Sequence, residues 1–387
     1  MSTGDHSLKN IKHLLLLMLF PLFLASYSRA QEINFRGQAS AWAVTNPAQA
    51  TQVGLRYIPE LQAGIYQENY FIDTDISLNM YGTSEFWHKR DSVETLHDLK
   101  AYRLWLRFST SQFEIRAGLQ KINFGSANLL RALMWFDSID PRDPLQLTDG
   151  VYAILTRYYF LNNANIWFWI LYGNDRTRGW EVFVSDQKKP EFGGRLQVPL
   201  FSGEMAFTYH HRDIDAGKSL AAPYLYTDLR VPENRIAIDG KWDVEAGVWM
   251  EAVLIYRDLP YKDFNYQQQT NLGIDYTFDL GNGLHAIAEH FNLRFSDKAF
   301  GDGEGISMTA FSLDYPLGLL DDFTAMVYYE WDQKNWYRFL RWQRTYDNWI
   351  FYLMAFWNPE QYQLYQLTNQ ENLYAGKGLQ LLVVFNH

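Results

Sequence analysis

Tyr102-Arg103-Leu104-Trp105-Leu106-Arg107-Phe108 and, past a short break at Ser109–Ser111, Phe113-Glu114-Ile115-Arg116-Ala117-Gly118-Leu119-Gln120 are the segments that decide how this chain folds. Tyr102, Leu104, Leu106 and Phe108 fall on every second position of the first, and Phe113, Ile115, Ala117 and Leu119 on every second position of the second. Period two puts such residues on one face of an extended strand, and a break this short folds two strands into a hairpin. The other face carries Arg103, Arg107, Glu114 and Arg116. A soluble half-buried sheet shows the same alternation, so the number of strands and the lengths of their connections decide the architecture.

The pattern recurs along the chain, for example at Leu272, Ile274, Tyr276 and Phe278. Eighteen strands are read, centred near residues 39, 54, 75, 103, 117, 155, 168, 195, 207, 239, 250, 274, 289, 310, 327, 340, 352 and 381. Long polar connections (82–97, 124–150, 174–190, 214–233, 257–269, 295–304, 358–375) alternate with tight turns such as Leu161–Asn163, Phe201–Gly203 and Leu280–Gly283. Short turns on one rim and long loops on the other mark an outer-membrane barrel. An even count leaves both ends on the short-turn rim. Two connections run against this alternation, a long Glu60–Asn69 and a short Asp332–Asn335, and sixteen strands stays open. The fold expected is all-β: one transmembrane antiparallel barrel over residues 31–387.

The ends agree with export. Lys9 and Lys12 precede an apolar stretch, Leu14–Leu24, and Ser28-Arg29-Ala30 offers a cleavage site between Ala30 and Gln31, so residues 1–30 read as a signal peptide. At the other end Leu379, Leu381, Val383 and Phe385 share one face of a final strand, resembling the signal read by the outer-membrane insertion machinery. The expected place is the bacterial outer membrane, among its lipids and lipopolysaccharide. Composition fits: 17% of residues are aromatic, with 14 Trp, 26 Tyr and 26 Phe, as the two interfacial girdles of a large barrel require. A net charge of −10 argues against nucleic acid, and the absence of cysteine removes disulfides and thiolate metal sites.

A charge facing lipid at mid-depth costs on the order of 2–4 kcal/mol, so charges on the polar faces of strands belong in the lumen. Arg103, Arg107, Arg116, Arg195 and Arg212 come from the first half of the chain, and Asp239, Glu251, Asp275 and Glu330 mainly from the second, with Glu114, Lys241 and Arg257 out of sequence. Mapped around the wall, this gives a basic and an acidic side; the alternative is that the charges pair and stiffen the barrel. At strand thirteen, turning Glu289 inward also turns Ile287 and Phe291 inward. The connection 124–150 stands apart. Ser126–Phe136 is apolar and has helical propensity, and Asp137-Ser138-Ile139-Asp140-Pro141-Arg142-Asp143-Pro144 is a run of turns. Such a loop is expected to fold inward and narrow the pore with Leu133, Trp135, Phe136, Asp137, Asp140, Arg142 and Asp143. Strands 151–160, 164–172 and 348–357, apolar on both faces, would be the wall it covers.

No catalytic or phosphate-binding motif appears, and His210-His211 face opposite ways on a strand, so no enzyme activity, metal or cofactor is expected. Ala117-Gly118-Leu119-Gln120-Lys121-Ile122-Asn123-Phe124-Gly125, followed by Leu133-Met134-Trp135-Phe136-Asp137, resembles the hairpin and following loop of porin-like bacterial outer-membrane proteins, the alginate-export barrels among them. Leu119 stands where those families place an arginine. The resemblance implies a wall strand leading into a channel-narrowing loop. The function expected is passive diffusion of small hydrophilic or charged solutes; polymer export and a non-conducting scaffold or adhesin barrel are the alternatives, and a homo-oligomer is possible.

Overall fold

The computed structural model describes residues 31–47, 50–87, 92–218, 229–360 and 374–387; the proposed signal peptide lies outside them. Among these residues the wall strands are β1 (Gln31–Thr45), β2 (Ala50–Tyr66), β3 (Phe71–Trp87), β4 (Ser92–Ser109), β5 (Phe113–Gln120), β6 (Val151–Tyr159), β7 (Asn165–Leu171), β9 (Glu191–Leu200) and β10 (Gly203–Asp215). They continue as β11 (Arg230–Val244), β12 (Ala246–Arg257), β13 (Tyr266–Phe278), β14 (Leu284–Ser296), β15 (Gly305–Pro316), β16 (Asp321–Glu330), β17 (Asn335–Tyr346), β18 (Trp349–Trp357) and β19 (Lys377–Asn386). A two-residue β8 (Val184–Ser185) pairs with the upper end of β10 from inside a loop.

Each wall strand pairs antiparallel with its sequence neighbour, and β19 closes the ring on β1, from Gln38 opposite Asn386 to Thr45 opposite Leu379. The result is an eighteen-stranded closed antiparallel barrel. Closure pairs the wall's backbone groups internally, which hydrocarbon demands because it offers them no other partner. The outer face is apolar: Leu55, Phe168, Leu272 and Leu381 are 67%, 57%, 61% and 52% exposed. Spread around the circumference, such exposure is a liability in water and suits lipid. Phe385 belongs to this face, against Trp349 at 4.7 Å.

Several connections differ from the sequence reading. The segment 82–97 is mostly strand, because β3 and β4 pair up to Trp87 and Ser92. The long turn expected at Glu60–Asn69 shrinks in the same way, since β2 runs on to Tyr66 opposite Phe71. Tyr102 leaves the alternation: Ser77 pairs with Arg103 and Leu78 with Ala101, so Tyr102 is the extra residue of a bulge. By contrast β5, β6 and β7 have only 8, 9 and 7 residues, and the chain turns into the barrel beside them.

Candidate pore constriction

Residues 121–150, joining β5 to β6, lie inside the barrel. Leu130, Leu133, Trp135 and Phe136 are at most 4% exposed and share one apolar cluster with Trp169 of β7, Phe291 of β14, Tyr328 of β16 and Phe339 of β17. Phe124 stacks on Trp169 with ring centroids 5.8 Å apart, and Phe136 meets the ring of His210 edge-on at 5.1 Å. Burial of this surface is what draws the loop inward. Ser126–Phe136 forms no helix despite its propensity. Wall carboxylates take up its amide hydrogens in place of helical carbonyls.

The turn-rich half is tied by its own ion pairs. Arg131 forks onto Asp137 at 2.6 and 3.0 Å. Arg142 does the same to Asp140 and lies over the rings of Phe339 and Tyr374, 5.5 and 5.4 Å from their centroids. Burial pushes the Asp143 carboxyl up from the ordinary aspartate range, against the backbone N–H of Leu145 that it accepts. The loop 172–190 interlocks with this body: Trp180 donates to the Arg131 carbonyl at 2.9 Å and stacks on Phe291 at 4.5 Å.

The inward-facing charges are arranged differently from a divided lumen. Arg195 is bidentate to Asp239 at 2.6 and 2.7 Å, Arg107 holds Asp73, Arg116 reaches Glu114 at 3.3 Å, and Lys241 faces Asp275 at 3.6 Å. Arg212 joins Arg235, Arg257, Glu181 and Glu233 in one buried network. Opposite signs therefore meet within a strand, on neighbouring strands or across one intervening strand, and no basic side confronts an acidic one. Glu114, Arg195, Arg212, Asp239, Glu251, Arg257 and Glu330, all expected in the pore lining, are buried beneath loops or neighbours. Arg103, Arg107, Arg116, Lys241 and Asp275 keep partial exposure. At β14 the loop resolves the ambiguity, since its apolar body covers Ile287, Glu289 and Phe291 together.

The loop's return leg runs along the inner face of β1 to β4. Arg103 donates to the Thr148 carbonyl at 3.1 Å, and Lys100 pairs with Asp149 at 2.7 Å. Arg56, which the sequence reading passed over, sits between the rings of Trp42 and Tyr81, 5.3 Å from each centroid. Among the described residues neither Arg56 nor Arg103 has a carboxylate ion-pair partner, and the buried Ser40 Oγ, Arg56 Nε and Asn79 Oδ1 meet no hydrogen-bond partner in the protein. Arg56 and Arg103 both keep partial exposure, so the return leg does not seal completely against this part of the wall. On the opposite side of the loop a cavity of about 410 Å³ lies between Asn123, Ser126, Ile139 and the wall residues Asp314 and Arg341. The inward parity of Arg56 is readable from its strand. Glu233 was missed because it fell in a segment read as loop.

No family model matches the sequence, and no curated protein matches it significantly. Solved structures do resemble it. OccK5 (OpdH) of Pseudomonas aeruginosa superposes with a TM-score of 0.56 over 93% of this chain and 98% of that one, at 11% identity. OmpT of Vibrio cholerae, in its trimer form, gives 0.53 over 93% and 100% at 9% identity. OccAB1 of Acinetobacter baumannii gives 0.52 over 93% and 96% at 8% identity. The fold is a porin fold. At such identities the likeness concerns architecture alone.

Proposed function

We propose that this barrel is an outer-membrane channel for passive diffusion of small hydrophilic or charged solutes. One observation carries the reading: a 30-residue connection is folded into the lumen and fixed there, leaving the inward Arg56 and Arg103 partly exposed and, among the described residues, without a carboxylate partner. A scaffold has no need of a shaped interior. Export of a polymer needs a wide bore, and the packed body of two loops crosses this one. The lipid-facing side of β19, which includes Phe385, offers the insertion machinery its final strand, and the outer apolar face meets the membrane lipids. Swelling of liposomes holding the purified barrel tests the reading: monosaccharides should enter and oligosaccharides of four or more units should be excluded. Equal entry of both, or of neither, would refute a narrowed diffusion channel.

A further inference from the structure

We propose that Glu251 of β12 and Glu289 of β14 are the positioning residues of this constriction, clamping the inward loop through its backbone amides; the functional part of the inference rests on the channel reading. Glu251 accepts from Ser126 N and Ala127 N on Oε1 at 2.8 and 2.9 Å, and from Ala132 N and Leu133 N on Oε2 at 2.8 and 3.2 Å. Glu289 accepts from Asn128 N on Oε1 at 2.6 Å and from Leu129 N and Leu130 N on Oε2 at 3.1 and 2.6 Å. The Asn271 side chain completes the cradle by donating to the same oxygen of Glu289 at 3.2 Å and to the Leu130 carbonyl at 2.8 Å. Both carboxylates are 1% exposed.

A carboxylate offers about four lone-pair positions, and Glu251 fills that number with N–H groups alone. Among the described residues neither side chain has an ion-pair partner. The nearby Arg131 is committed to Asp137, and the nearby Asp239 to Arg195. Converging amides of the loop thus balance two buried negative charges, as backbone nests do for bound anions. The dependence runs both ways. A departing loop leaves two carboxylates in apolar surroundings, which is costly, and a neutralised carboxylate leaves up to four amides without acceptors. Adding a proton to Glu251 turns one oxygen into a donor facing N–H groups. Tyr328 of β16 interacts electrostatically with Glu289, and Asp239 and Arg131 with Glu251. The clamp is therefore charge-dependent, and acid should loosen it.

The test uses the full barrel in detergent and its Glu251→Gln, Glu289→Gln and doubly substituted forms. Glutamine keeps the shape but presents one acceptor and an NH₂ donor. Hydrogen exchange of the amides of residues 126–133 should quicken roughly 10- to 100-fold in the variants, the range set by losing hydrogen bonds to a charged group. Heat-modifiable gel migration should stay unchanged. In the parent protein, exchange at these amides, corrected for its intrinsic pH dependence, should rise on acidification, and the doubly substituted form should lose that response. Unchanged protection in folded variants overturns the clamp. Should the variants fail to fold, a flat pH response at these amides in the parent overturns it alone. The exchange readout needs no conduction, so a barrel that loosens as expected yet conducts nothing refutes only the channel.

Discussion

Replacing Glu233 by Gln removes the charge at the centre of the inner network, and the structure sets the size of the effect. Glu233 is 0% exposed and accepts from Arg212 Nε at 2.6 Å, from Arg235 Nε and Nη2 at 2.9 and 2.7 Å, and from Arg257 Nε at 2.7 Å. Three buried guanidinium groups are held against two carboxylates, Glu233 and Glu181; the substitution leaves Glu181 as the sole counter-charge in that network. Breaking one partner of a buried ion pair costs roughly 3–5 kcal/mol, and the several bonds lost here share one carboxylate, so their separate values do not add. At about 1.4 kcal/mol per decade this amounts to roughly two to three and a half powers of ten in the folding equilibrium. The network also holds the loop 172–190, through Arg212 to the Phe183 carbonyl and through Arg257 and Gln267 to that of Trp180. Urea titration of the detergent-solubilised barrel, followed by gel migration without boiling in both the unfolding and refolding directions, measures the loss. Glu304→Gln, at an exposed site, is the control. A loss below about 1 kcal/mol for Glu233→Gln would show that the arginines find other partners, and the reasoning from buried charge would fail.

Arg103→Glu should shift ion selectivity towards cations with folding intact, most strongly at low salt where screening is weak; Arg107 and Arg116 are unsuitable targets because they hold Asp73 and Glu114. A reversal potential unmoved by Arg103→Glu would place that residue outside the conducting path. Gly125→Ala should free the inward loop, since the backbone there has φ +97° and an added Cβ would fall 2.4 Å from Glu251 Oε1. Faster exchange at residues 126–133 checks this, and wild-type protection counts against it. Burial alone would raise Asp149, but the hydrogen bond and charge of Lys100, with Arg176 and Arg178, hold its carboxyl below the ordinary aspartate range. The tether to β4 should therefore be fully present above about pH 3.9, the unfolded value, and fade as pH falls through the lower folded one. Lys100→Met should abolish that acid response of the return leg, and a response that persists would exclude the pair as its source.

The wall was legible because its signal is repeated. Each of the eighteen strand centres falls within a wall strand, since lipid outside and polar loops or water inside impose the same alternation on every segment. Strand ends were less so: polar residues between Gly82 and His97 look the same in a loop and in a hairpin projecting above the membrane, and pairing between β3 and β4 decides it. Parity also gave the direction in which Arg195 or Glu251 points. It could not give their surroundings, because Asp239 meets Arg195 from two strands away, across β10. The strands covered by the inward loop were hardest. Tyr352, Met354 and Phe356 face inward from β18 while Leu353 faces lipid, and a strand apolar on both sides has no parity to read. For the same reason Glu289 was ambiguous until the three loop amides it accepts, those of Asn128, Leu129 and Leu130, were placed against it. The helical propensity of Ser126–Phe136 was a true local preference that two wall carboxylates, more than a hundred residues away in sequence, override.

Single-channel recording in a planar bilayer, comparing the parent barrel with a form in which residues 127–144 are replaced by a short Gly/Ser link, bears most directly on the claim that this is a channel narrowed by its own loop. Every wall strand and its ladder survives that excision, so the barrel should assemble and keep its heat-modifiable migration. The account expects small, well-resolved conductance steps from the parent and severalfold larger ones from the excised form, with a higher size limit for sugars. Silence from a correctly folded parent, or equal steps from the two forms, would contradict it.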